Sequence, residues 1–241
     1  MQNSPEGAVI ISDMCQACRV DRPIPEELKG LRDDVYRRPL ETALLRLGVG
    51  PGWRCVDVGA GTGDVSIALG NVVGRSGRIY AVDVDPAARD AVAEAASAYA
   101  QVIALTQPVE ELTLPEAVDL VFCRFLLLHV HDPMEALHAM AAAARPGGWV
   151  VAQEPVTTAG RIDGQPLSMP SARHPDVGAM LPRFVRDLGL ELVDAWSEAP
   201  AGAGPGPVHE YFEELTDTDP GESSIMLPPL VTVLARKPES G

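Results

Sequence analysis

Between residues 56 and 64 the chain reads Val-Asp-Val-Gly-Ala-Gly-Thr-Gly-Asp, an apolar run that ends in three alternating glycines and then opens a helix. Glycines at 59, 61 and 63 can take positive φ and carry no Cβ. A small ligand can therefore lie against bare backbone, with the free N–H groups of the following helix pointing into the same space. The spacing is G-x-G-x-G. A dinucleotide cradle reads G-x-G-x-x-G, its third glycine letting helix and strand close around a pyrophosphate. Here Asp64 holds that place, and a carboxylate at a helix N-terminus repels a pyrophosphate. A nicotinamide cofactor is disfavoured on this ground.

Around this loop, apolar β-rich runs alternate with helical periods. Strands are expected at 53–58, 78–83, 101–105, 117–123 and 148–154, with helices at 64–73, 87–99 and 133–144 between them. Strand then helix, repeated, implies a parallel sheet. One amphipathic helix is expected from Glu26 to Leu47, closed by Gly48-Val49-Gly50-Pro51-Gly52. Ala144-Arg145-Pro146-Gly147-Gly148 reads as a helix end, with the glycines as its left-handed cap. Beyond residue 155, prolines and glycines interrupt any period up to Pro175. Then follow a helix at 177–188, a sixth strand at 190–196, a linker at 200–207, a short helix at 210–215 and a last strand at 225–235. The interrupted stretch lies past the carboxyl end of a strand, where open α/β sheets bind ligands. It reads either as a substrate lid, placed at 155–180, or as an ordinary surface excursion.

Asp57 to Gly63 matches, without a gap, the first motif of the class I S-adenosylmethionine (SAM)-dependent methyltransferases, acidic-x-Gly-x-Gly-x-Gly, and the chain resembles their small-molecule, type 11-like branch. Asp83 at the end of Arg78–Asp83, the aspartate-led run Val118–Arg124, and the Pro146-Gly147-Gly148 turn follow in the family's order. The resemblance implies a Rossmann-like, seven-stranded, mostly parallel sheet with helices on both faces, strand order 3-2-1-4-5-7-6 and the seventh strand antiparallel. The whole chain, 1–241, would form one domain, with a helical segment at 1–48. SAM would lie along Asp57, Gly59, Ala60, Gly61, Thr62 and Gly63, with Asp83 and Val84 at the ribose; Arg124, after strand four, would line the pocket or pair with a carboxylate. The family receives the adenine amino group on an acidic side chain after the third strand. Pro108 stands at that place here, and proline offers neither a side-chain acceptor nor an N–H. Adenine recognition would shift to Gln107, to the Val109 amide or to Glu110.

Methyl transfer from a sulfonium is a direct displacement, so positioning and exclusion of water supply most of the rate. An oxygen, nitrogen or carbon nucleophile can still need a base at the carboxyl ends of strands four or five. His129, His131 and Glu154 fall there, with His129 and Glu154 the stronger candidates. Each also has a structural reading: a histidine can fill a loop and bond backbone, and Asp132-Pro133 reads as a helix cap. Tyr36 either closes over the cofactor or packs in the core. No oxygen-rich cluster suggests a metal site. The acceptor reads as a small metabolite, methylated on oxygen or nitrogen more readily than on carbon. A SAM-binding protein that promotes cyclisation or rearrangement without methyl transfer is the alternative, and a non-catalytic regulatory module is a further one.

With 46% hydrophobic residues in 241, the chain can bury a large core. Its net charge of -15 and pI near 4.6 repel phosphate backbones and anionic headgroups, and no basic stripe overrides the mean. Nucleic-acid and membrane partners are not expected; a monomer or homodimer in the cytoplasm is. Four cysteines fit that compartment, with Cys55 and Cys123 inside strand-like runs. Cys15-x-x-Cys18 has no second pair to complete a zinc site and reads as plain thiols.

Overall fold

The computed structural model describes residues 26–99, 101–167, 169 and 172–239; the Cys15/Cys18 pair lies outside them. The expected N-terminal helix is two helices, α1 (Glu26–Val35) and α2 (Arg37–Leu47), broken at Tyr36. The break has a local cause: Pro39 has no N–H to donate to the Val35 carbonyl, so it is tolerated only in the first turn of a restarted helix. The alternating core follows as β1 (Arg54–Val58), α3 (Asp64–Val73), β2 (Arg78–Asp83), α4 (Pro86–Ala95), β3 (Val102–Thr106), β4 (Val118–Arg124), α5 (Pro133–Ala143) and β5 (Ala144–Pro155). After it come β6 (Arg161–Ile162), β7 (Gln165–Pro166), α6 (Val177–Asp187), β8 (Glu191–Glu198), β9 (Ala201–Ala203), α7 (Pro207–Thr216), β10 (Ser224–Met226) and β11 (Leu230–Arg236).

Seven strands form the main sheet in the order β3-β2-β1-β4-β5-β11-β8. Counted along the chain within this sheet, that is 3-2-1-4-5-7-6. The first five pair in parallel and β11 runs antiparallel to both β5 and β8. The period-two alternation of each strand divides its side chains between two helical layers. Cys55, Ile79, Leu120, Phe122, Val151 and Leu234 meet α2 and α3, while Val56, Val82, Val121, Cys123, Val150 and Ala152 meet α5 and α6. Cys55 and Cys123 are buried, as small apolar side chains in strands would be. The Asp132 carboxylate accepts from the Met134 and Glu135 amides and caps α5.

Three sequence expectations change. Helix α5 ends at Ala143 with Ala144 already extended, so Gly147 (φ +68°) does not cap it; the glycine bends β5 and donates to the Lys237 carbonyl. The expected last strand is cut by Pro228 and Pro229, whose missing N–H groups cannot join a ladder, into β10 and β11 in different sheets. The stretch after β5 contributes a hairpin, β6–β7, to a second sheet of order β7-β6-β10-β9. This small sheet, α1 and α7 share a third apolar cluster, with Leu28, Tyr36, Leu167, Tyr211, Phe212 and Ile225, at the carboxyl ends of β4 and β5.

Helix α6 approaches the end of β5 so closely that a Cβ on Gly178 would stand 2.3 Å from the Glu154 carbonyl oxygen and 2.8 Å from that of Pro155. Both are backbone atoms and cannot rotate away. Gly178→Ala is expected to cost roughly 2 kcal/mol, seen as a lowered midpoint in urea at unchanged slope; an unchanged midpoint would show that α6 can move outward freely.

Candidate functional site

The glycine loop leaves β1 with φ of +75° at Gly59, +52° at Gly61 and +87° at Gly63. It is tied to β2: the Gly59 and Ala60 amides donate to the Val82 carbonyl, and the Gly61 amide donates to Asp83 Oδ2 at 2.9 Å. The other Asp83 oxygen accepts from the Asp85 amide at 3.0 Å. Asp83 thus holds the loop from below while keeping lone pairs on each oxygen. Leu126 packs on the opposite side, where a Cβ at Gly59 would meet its Cδ1 at 2.9 Å. Between these walls lies a cavity of about 240 Å³. Val58, Gly59, Val82, Asp83 and Val84 line one side, and Gln107, Pro108, Val109, Glu110, Leu126, His129 and Val130 the other.

Several expected cofactor residues make contacts within the protein. Asp57 is buried beneath the loop and accepts from the Ser66 hydroxyl at 2.7 Å, so it braces α3 and does not reach the cavity. Burial pushes its pKa up to about 7 despite that hydrogen bond. Ala60 is buried against Ala81 and Val92, and the Thr62 hydroxyl donates to Asp33 Oδ2 at 3.1 Å. Gln107 closes a ring with Thr113, receiving its amide and donating to its carbonyl. One N–H and one acceptor lone pair of its side chain remain, and Gln107 lines the cavity. Val109 opens a single 3-10 turn to Glu111, so its N–H has no intrahelical acceptor. That amide and the Glu110 side chain stand where Pro108 removed the acidic group.

Arg124 does not line the cavity. The parity of β4 turns it, with Leu120 and Phe122, toward α3, and its side chain is 2% exposed. One terminal nitrogen, Nη2, pairs with Asp64 and with Asp33 at 2.8 Å, while Nη1 donates to the Tyr36 carbonyl. Asp64, which excluded a dinucleotide, thus binds a guanidinium. Burial raises its pKa and the Arg124 charge opposes the rise. The Tyr36 ring is buried against Phe125 and its hydroxyl donates to the Pro228 carbonyl at 2.9 Å, the packing reading of that residue. Arg124→Met would leave Asp64 without its cation and Asp33 with Arg32 alone, at a cost of about 3 kcal/mol. Faster amide exchange confined to α1 is expected; uniform exchange would refute the latch.

Phe125, directly after β4, has φ of +53°, a conformation uncommon outside glycine. It turns the chain so that the amides of Leu126, Leu127 and Leu128 all point at Glu154. Oε1 accepts from the first two at 2.8 Å each and Oε2 from the third at 3.3 Å. Glu154 is 0% exposed. Burial pushes its pKa up to about 7 against the opposing pull of these amides. In this structure both of its oxygens are bonded to the turn, which it braces. His129 sits at the cavity rim, its pKa lowered by burial on one side and by the Arg32 charge. The His131 carbonyl meets the His174 ring at 3.2 Å, and its own ring is not among the cavity lining. Sequence reading missed Asp33, the partner of Thr62 and Arg124, because α1 carries no motif. Among the described residues no three His, Cys, Asp or Glu side chains gather as a metal site, and no helix is long and apolar enough to cross a membrane.

Residues 56–152 match the model of the methyltransferase domain family. A demethylmenaquinone methyltransferase of Bacillus licheniformis is 32% identical over 109 residues, 45% of this chain and 47% of the relative, so the chain spans about half the length of that curated relative. Among solved structures, a SAM-dependent methyltransferase from Aquifex aeolicus superposes with a TM-score of 0.62 at 18% identity, covering 89% of this chain and 99% of that one. The [4+2]-cyclase SpnF superposes with a TM-score of 0.61 at 20% identity, covering 83% and 81%. These structures share the fold. The cradle fits the cofactor that the matched domain uses, since it is tied open by Asp83 and leaves bare backbone on the ligand side. Loop, sheet order and the match over residues 56–152 agree on a methyltransferase domain with the fold of the S-adenosylmethionine-dependent methyltransferases.

Proposed function

We propose that this protein transfers a methyl group from SAM to oxygen or nitrogen of a small organic acceptor. The observation that carries the reading is the glycine loop held open by Asp83 above a cavity at the carboxyl ends of β1 and β2. In that reading SAM supplies a sulfonium-bound methyl group. Asp83 accepts from both ribose hydroxyls with the lone pairs its loop amides leave free. The Val109 amide and Glu110 receive the adenine edge, and Val84, Pro108 and Leu126 give it apolar walls. The Gly59–Gly63 amide face meets the amino-acid end. Arg124 acts at one remove: by holding Asp33 of α1 against Thr62, it keeps a cover over the loop and excludes water. Glu154 acts likewise, fixing the turn that carries Leu126 and His129.

His129 is the general base of this proposal where the acceptor needs one. Its lowered pKa keeps the imidazole neutral and able to accept a proton at neutral pH. The relative named for demethylmenaquinone supports a small organic acceptor. The domain match ends at residue 152. The covering elements α1, β6–β7, β9–β10 and α7 lie outside that match, and in this proposal they choose the acceptor. The test is calorimetric titration with SAM, S-adenosylhomocysteine and NAD, followed by acceptor screening for S-adenosylhomocysteine release. Binding of the first two without NAD, and product release with an acceptor, is the expected result. SAM that binds and is recovered unchanged from converted acceptor would favour the cyclisation alternative, whose fold neighbour is SpnF.

A further inference from the structure

Two donors in the cover have no partner among the described residues. Arg32 on α1 gives Nε and Nη2 to one oxygen of Asp33, at 3.3 and 3.2 Å, and rests 4.7 Å above the Phe125 ring. Its Nη1 has no partner among the described residues. Tyr211 on α7 is 7% exposed, yet its hydroxyl makes no hydrogen bond among those residues. Nor is it one of the sealed polar atoms left without a partner, which are Gln153 Oε1 and His209 Nδ1. The hydroxyl therefore opens onto space. A nearly buried tyrosine normally finds a partner for its O–H.

Ring contacts and charge link the two groups. The Tyr36 ring lies 5.1 Å from Phe125, which carries Arg32, and 6.4 Å from Tyr211. The charges of Arg32 and Asp33 both act on the Tyr211 hydroxyl. Burial pushes that hydroxyl up to about 12, so it remains a neutral donor. Asp33 is shared between the guanidiniums of Arg32 and Arg124, which leaves the positive charge of Arg32 only partly answered.

We propose that Arg32 Nη1 and the Tyr211 hydroxyl form a two-donor site for a carboxylate on the methyl acceptor, at the mouth of the cofactor cleft. The proposal rests on the methyl-transfer reading above and names the acceptor class. Guanidinium and phenol together match a carboxylate, whose two oxygens take one donor each. The proposed occupant is the acceptor, and α1 and α7, which carry the donors, both lie outside residues 56–152. The chain's net charge of -15 does not forbid an anionic acceptor, since charges beyond about 8 Å are largely screened at physiological salt.

The experiment uses a matched pair of probes, 4-hydroxybenzoate and 4-hydroxybenzamide, titrated into the full chain saturated with S-adenosylhomocysteine. The carboxylate is expected to bind at least about tenfold tighter than the amide. Arg32→Gln and Tyr211→Phe should each remove most of that preference and Arg32→Lys should keep part of it, while affinity for S-adenosylhomocysteine stays within about threefold. A merely structural role for either residue would not move the ratio. Equal affinities, no binding of either probe to the loaded protein, or a preference that survives Arg32→Gln would overturn the proposal. So would an Arg32→Gln variant that loses S-adenosylhomocysteine while treating the probes alike, which assigns the donors to the cofactor. Wild-type protein that fails to bind S-adenosylhomocysteine would overturn the methyl-transfer reading first, a result separable from all of these.

Discussion

Asp83→Ala is expected to weaken S-adenosylhomocysteine binding roughly a hundredfold, about 3 kcal/mol. Two losses add. The ribose hydroxyls lose a charged acceptor, and hydrogen bonds to charged groups are worth about 1.5–3 kcal/mol each. The Gly61 amide loses the oxygen that holds it at 2.9 Å, so the loop must also be reordered when ligand arrives. Asp83→Asn separates the two effects. It keeps one acceptor oxygen and costs roughly tenfold, because its NH₂ group meets either the loop amide or the Asp85 amide with the wrong polarity. Isothermal titration at fixed salt measures both. An alanine variant within threefold of wild type would mean that Asp83 serves the loop alone.

Glu154→Ala is expected to be the most destabilising single change considered, at least about 3 kcal/mol. It strands the amides of Leu126, Leu127 and Leu128 in a sealed interior. In a chain of this size that lowers the melting temperature by roughly 6–12 °C. Glu154→Gln should cost less, because one remaining oxygen can still take the Leu126 and Leu127 amides while the NH₂ group faces Leu128. Glu154 also carries a pH signature. Its pKa rises on folding from 4.5 to about 7, and that of Asp57 from 3.8 to about 7. Between those values the folded protein holds protons that the unfolded chain has released, so stability falls as pH rises from about 4 to about 7 and is flat above. The total is on the order of a few kcal/mol. Denaturation midpoints measured from pH 5 to pH 8 should show this decline, and Glu154→Gln should remove part of it. A midpoint that climbs with pH would contradict the burial argument for both carboxyls.

These two residues mark how far local sequence reaches. The place of Asp83 was legible because it follows from adjacency: the end of a strand, next to a glycine loop, in a spacing that chain geometry preserves. Glu154 also lay in view, but an acidic side chain at a strand's end fits a base and a brace equally. Its three amide partners come from a turn 26 to 28 residues away, and they decide. Gln107 shows the same limit, since its ring with Thr113, which takes one donor and one lone pair of the side chain, was not legible in the sequence.

What the chain's own order determined is the main sheet and its cradle. Hydrophobic period, glycine spacing and turn residues are short-range signals, and an alternating strand–helix chain has few ways to close them into a sheet. The tertiary structure decided the cover. Tyr36 ends a helix where Pro39 forbids its continuation, and Pro228 and Pro229 divert β10 into a second sheet. Arg124 is drawn from the cofactor to Asp33 and Asp64 because strand parity, set by pairing with β1 and β5, aims it at α3 and α1. Those contacts join residues 60 to 91 positions apart, and no local pattern encodes which charge a buried arginine will meet. Only packing places the two groups side by side.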